Sequence, residues 1–145
     1  MPLTVSKSLH SCLLSANYMS YMYEYLAANA YNELTQRLLK KFAEDERQIF
    51  GMLRLIYEDT TGTSIMPTLN QPQINVPDFR AGLLACITHE ITDIDNYKML
   101  SLKLQGLDLR STILELLTYK VRHGYGLLVL VTPDEKLVGL SDTTT

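Results

Sequence analysis

The stretch TGTSIMPTLNQPQINV, residues 61–76, decides the fold. It carries Gly62, Pro67 and Pro72 among asparagines and β-branched residues without helical period, and so reads as a connector. Upstream, residues 3–30 contain no proline or glycine and residues 32–61 only Gly51, which gives two long helices broken near 29–33, where Asn32 can cap the second. Downstream, Pro77 and Asp78 suit the first turn of a third helix running to about Gln105, and Gly106 and Asp108 separate it from a fourth ending near Val131. At ~3.3 Å per residue the connector reaches roughly 50 Å, enough to travel the length of a 25-residue helix at ~1.5 Å per residue. The other two links are short. Short, long, short predicts two helical hairpins joined by one crossover, not an up-down-up-down bundle. Residues 1–132 form the expected bundle, with its crossover at about 61–76, and 133–145 a C-terminal tail.

The chain has 145 residues, 46% apolar and 20% charged, which fits one globular domain and excludes a disordered or collagen-like chain. Its net charge of −3 offers no general basic surface for a phosphate backbone, so nucleic acid is not an expected partner. Cys12 and Cys86 are too few for a disulfide framework, and the N-terminal stretch lacks the apolar run of a signal peptide or membrane span. A cytoplasmic protein with no membrane association is the expectation.

A shift of 74 residues lays the first hairpin on the second, with identities at Leu9/Leu83, Cys12/Cys86, Tyr23/Tyr97, Leu26/Leu100 and Leu53/Leu127. Inward stripes follow at steps of three and four. Helix two gives Leu39, Phe42, Glu46, Ile49, Leu53 and Ile56; helix four gives Ile113, Leu116, Lys120, His123, Leu127 and Leu130. Helix three gives Leu83, Cys86, Glu90, Ile94 and Tyr97; helix one gives Leu9, Cys12, Ala16, Ser20 and Tyr23. Ala16, Glu46, Glu90 and Lys120 all lie about fourteen to sixteen residues from their hairpin turn, hence at one level. A carboxylate in an apolar seam costs several kcal/mol unless it meets a cation or a metal. Glu46, Glu90, Lys120 and His123 are therefore expected to converge.

The segments YEYLAANAYNEL, FAEDERQIFGMLRLIYEDTTG and HEITDIDNYKML, with this topology, resemble a rubrerythrin-type member of the ferritin-like superfamily over about residues 5–131. The resemblance implies an all-α, ferritin-like four-helix bundle in which each hairpin supplies a glutamate and a Glu-x-x-His to a pair of metal ions. The carry-over is partial. The first-helix glutamate falls on Ala16 and on Glu90; the second-helix motif falls on Glu46 to Ile49, which lacks the histidine, and on Lys120 to His123, which lacks the glutamate. Glu46, Glu90 and His123 remain as remnant metal ligands. Lys120 replaces an anion by a cation at the centre, so the expected arrangement is an internal salt-bridge layer of Lys120, Glu46 and Glu90 with His123 alongside, with no cofactor and no catalytic residue. The alternative is a mononuclear site in which Glu46, Glu90 and His123 hold one divalent metal ion, iron or manganese in the first place and zinc as a further choice, as a metal-binding protein or oxidoreductase.

Cys12 and Cys86 are expected to be buried free thiols, too far apart to pair. Tyr18, Tyr21, Tyr23 and Tyr25 with Met19 and Met22 surround helix one, and a homodimer through this hairpin is expected to cover those that miss the core. His89 and His10 point away from their seams and take no role. No Ser-His-Asp set, phosphate loop or zinc motif appears. A non-catalytic structural or interaction protein is the leading expectation.

Overall fold

The computed structural model describes residues 3–65 and 69–132, and the expected tail at 133–145 lies outside them. Four helices account for the regular structure: α1 (Leu3–Ala28), α2 (Glu33–Thr61), α3 (Phe79–Lys103) and α4 (Leu107–Val131). No strand occurs among the described residues. Local chemistry sets the boundaries. Asn32 caps α2, its side chain accepting the Thr35 N–H at 2.8 Å, and Gly62 closes it in the left-handed region at φ 70°, its N–H donating to the Glu58 carbonyl. Asp78 accepts the Ala81 N–H at 2.7 Å and so stands outside α3 as its cap, which moves the start to Phe79 from the expected Pro77. Gly106, at φ 100°, makes the turn into α4 that a side chain would strain.

The helices form a four-helix bundle in which α1 packs on α2 and α3, and α4 packs on α3 and α2. One core cluster unites Val5, Leu9, Leu13, Leu53, Ile56, Leu100, Leu104 and Ile113. The other unites Met22, Tyr23, Leu26, Leu39, Phe42, Leu83, Cys86 and Leu127. The end of α2 thus shares a cluster with the end of α3, and the start of α3 lies in the other. Ile65 and Leu69 of the connector join the first cluster, and Ile74 and Val76 the second.

Close approach on α4 is specified by a glycine. A Cβ at Gly126 would stand 2.5 Å from the Phe42 ring, so only a hydrogen fits where α2 and α4 meet. The expected stripes hold except at two places. Ile94 and Leu130 are half-buried, and on α3 it is Asp93, three residues after Glu90, that turns fully inward. The reason is chemical, since Asp93 finds a cation and a hydroxyl inside the bundle, described next. No helix among the described residues is long and apolar enough to cross a membrane.

Candidate functional site

Between the two clusters lies a polar layer. Glu46 from α2, Glu90 and Asp93 from α3, and Lys120 and His123 from α4 are all buried there, with Asp45 at the edge. The steps of three from Glu90 to Asp93 and from Lys120 to His123 keep each pair on one helix face.

Lys120 is the centre. Its Nζ donates to Glu46 Oε1, stands 3.3 Å and 3.2 Å from the two Glu90 oxygens, and lies 2.9 Å from Asp93 Oδ2. Three carboxylates around one ammonium is the arrangement expected of a cation site, with the cation covalently supplied. Burial alone would drive Lys120 towards the neutral amine, but Glu46 and Glu90 together with Asp93 outweigh it and hold the group well above the ordinary lysine range. It is an ammonium at any physiological pH.

His123 forms the second half. Nε2 lies 3.0 Å from Asp45 Oδ2, and Nδ1 lies 3.3 Å from Glu46 Oε1 and 3.4 Å from Glu90 Oε1. The two Nδ1 contacts are near enough for charge attraction without the alignment of a hydrogen bond. Burial would lower this imidazole, yet the bond to Asp45 and the two glutamates push it up to about 10, so it carries a proton at neutral pH. Phe42, 4.4 Å away between ring centroids, and Tyr23, at 5.6 Å, wall the ring in.

Hydroxyl groups complete the layer. Tyr23 Oη donates to Glu90 Oε1 at 2.7 Å, and Ser15 Oγ lies 2.8 Å and 2.9 Å from the two oxygens of Asp93. Lys41, one turn before Asp45 on α2, reaches in from the surface with its Nζ 2.9 Å from Asp45 Oδ1. Burial tends to raise Asp45, and the bonds to His123 and Lys41 reverse it, leaving this carboxyl below its ordinary value. Glu90 behaves likewise: burial raises it, and Lys120, His123 and Tyr23 bring it below the usual range. Glu46 is the exception, because burial wins over Lys120 and His123 and pushes it up. Its Oε2 has no hydrogen-bond partner.

The charge count differs from the one the sequence gives. Periodicity finds two carboxylates, Glu46 and Glu90; the structure adds Asp45 and Asp93, four in all. Lys120, protonated His123 and Lys41 supply three positive charges against them. Burial raises Glu46 against the pull of Lys120 and His123, and the hydroxyls of Tyr23 and Ser15 spread the charge on Glu90 and Asp93. Asp93 was masked in the sequence by Ile94, the apolar choice at the next step. Asp45 adjoins Glu46 and falls at the edge of the stripe, where only contact with His123 on another helix reveals it. The Ser15 and Tyr23 hydroxyls give no periodic signal.

The remaining candidates fall outward. Glu24, the acid on α1, is half-exposed and pairs with Arg47 at 3.0 Å on the surface. His89 packs its ring on Tyr18 at 5.1 Å, and His10 on Tyr57 at 6.1 Å. Cys12 and Cys86 are buried free thiols. Burial, with Asp93 nearby, raises Cys12 to about 12, and burial raises Cys86 as well, so neither is a nucleophile at neutral pH. Of the helix-one tyrosines and methionines, Met19, Met22 and Tyr23 are core, while Tyr21 and Tyr25 are exposed.

Fold and site together define a class: an antiparallel four-helix bundle with an ionised polar layer sealed in its interior. No family model matches the chain, and no curated protein matches it.

As a metal site the layer is a mixed fit. Ligand atoms of Glu46, Glu90 and His123 lie within 4.8 Å of one another, a set of two carboxylates and one imidazole that suits a single divalent ion. A pair of ions does not fit, because the Lys120 ammonium stands among the oxygens that would bridge them.

Proposed function

We propose that this chain is a ferritin-like bundle, related in pattern to rubrerythrins, whose di-metal centre has been replaced by a built-in cation, and that it serves as a non-catalytic structural or interaction protein. The observation that carries the reading is Lys120 Nζ among Glu46, Glu90 and Asp93, all inside the bundle. A connector with Ile65 and Leu69 in one core cluster and Ile74 and Val76 in the other supports the ferritin-like crossover. So does the absence of packing between α2 and α3, which a simple up-down-up-down bundle would place side by side.

An ammonium neutralises carboxylates but accepts no electron pair and activates no water. The layer therefore holds the helices in register without offering Lewis-acid chemistry. Lys120→Glu tests this. It restores an acid at the centre and removes the cation, so the variant should take up Mn(II) or Co(II) when titrated, where the parent takes up none; no gain over the parent overturns the reading.

One observation favours a second reading. Glu46 Oε2, Glu90 Oε2 and His123 Nδ1 all lack hydrogen-bond partners, and these are atoms that one metal ion would satisfy. On that reading Lys120 turns aside and Glu46, Glu90 and His123 hold a single iron or manganese ion. It predicts metal in the parent protein and its loss in His123→Gln.

A further inference from the structure

The outer side of the α3–α4 hairpin is an unpartnered apolar strip. The flank of α3 towards α1 is fixed by Asp93 against Ser15 and His89 against Tyr18, and the flank of α4 towards α2 by Gly126 against Phe42. At about 100° per residue, the opposite flanks of both helices then face one shared outer groove. There α3 presents Leu84 and Ile91, 44% and 57% exposed, seven residues apart on one face. On the same groove α4 presents Val121, Tyr125 and Leu128, 38%, 69% and 51% exposed, at steps of four and three. Gly124 lies between them, with open space where a Cβ would be.

Together these side chains leave on the order of 500 Å² of apolar surface in water, at the upper end of what a monomer carries by accident. A standard interface needs about 800 Å² per partner with roughly 56–65% of it apolar, which is ~450–520 Å². The strip therefore has the area of one side of a stable dimer.

The charges in the strip say which partner. Asp95 and Lys98 stand on the same outer side of α3, three residues apart, and neither joins an ion pair among the described residues. Opposite charges so spaced are self-complementary: a twofold axis between them sets Asp95 of each copy against Lys98 of the other. The α1–α2 side offers less. Tyr21 and Tyr25 there are 37% and 40% exposed, and the groove beside Tyr21 holds Glu24 and Arg47, which already pair with each other at 3.0 Å and leave no charge free for a second copy.

We infer that the chain forms a twofold homodimer through the outer face of α3 and α4, and not through helix α1. The inference is independent of what occupies the central layer. Sedimentation or light scattering of the full chain at about 10 µM should give twice 16.5 kDa. Ile91→Glu with Leu128→Glu should give a monomer of unchanged helicity, while Tyr25→Glu leaves the dimer intact. Asp95→Lys or Lys98→Asp alone should raise the dimer Kd about tenfold, and the two combined should return it to within about threefold of the parent. A monomeric parent overturns the inference. So does a dimer indifferent to Ile91→Glu and Leu128→Glu, or one lost with Tyr25→Glu.

Discussion

Removing the ammonium while keeping its stem is the sharpest perturbation of the layer. Lys120→Met preserves most of the volume and the fit along α4 but leaves Glu46, Glu90 and Asp93 facing one another without their shared cation. Breaking one side of a buried ion pair costs about 3–5 kcal/mol. A chain of 145 residues melts with an entropy of ~0.3 kcal/mol/K, so the loss corresponds to a fall in Tm of ~10–16 °C. Thermal and urea melts followed by circular dichroism at pH 7 measure it. The pH dependence carries the mechanism. Without Lys120 burial prevails at Glu90 as it already does at Glu46, so the penalty is present at neutral pH and fades as pH falls through the raised values. Adding Glu46→Gln and Glu90→Gln should restore much of the loss, because a layer with fewer anions needs less cation. A cost under about 1 kcal/mol, or one that does not shrink on acidification, refutes the reasoning.

Further outcomes follow from the same geometry. His123 is raised to about 10 from an ordinary 6.5, so its stabilisation is complete below pH ~6.5 and is lost as pH climbs through about 10. An imidazole NMR titration should find the ring still protonated at pH ~8, and a midpoint near the ordinary value would contradict its pairing with Asp45, Glu46 and Glu90. Gly126→Ala forces a Cβ to within 2.5 Å of the Phe42 ring and should cost about 1–3 kcal/mol in a urea melt. Gly51→Ala meets nothing within 4 Å and should stabilise α2 by about 0.5–1 kcal/mol.

Much of this architecture was legible in the residues. Asn32, Gly62 and Gly106 mark helix boundaries by chemistry that acts within one turn, and the structure uses all three. The convergence of Glu46, Glu90, Lys120 and His123 was legible too, since a polar residue at a seam position has nowhere to go but inward. What stayed hidden depends on partners from other helices. Ile94 has the better claim to the core by hydrophobicity, and only Ser15 and Lys120 across the bundle make Asp93 the inward residue. Asp45 is drawn in by His123 and Lys41, and Tyr23 is an ordinary core aromatic until its hydroxyl meets Glu90. Periodicity ranks residues on one helix at a time. An ion-paired layer is a property of three helices at once, and so two of its four carboxylates escaped the pattern.

The central claim is that a lysine does the work of a metal, and elemental analysis tests it most directly. Protein produced in medium supplemented with iron and manganese, and purified without chelator, should carry less than about 0.1 equivalent of any transition metal per chain. About one equivalent, lost in His123→Gln, would contradict the account and assign Glu46, Glu90 and His123 to an ion.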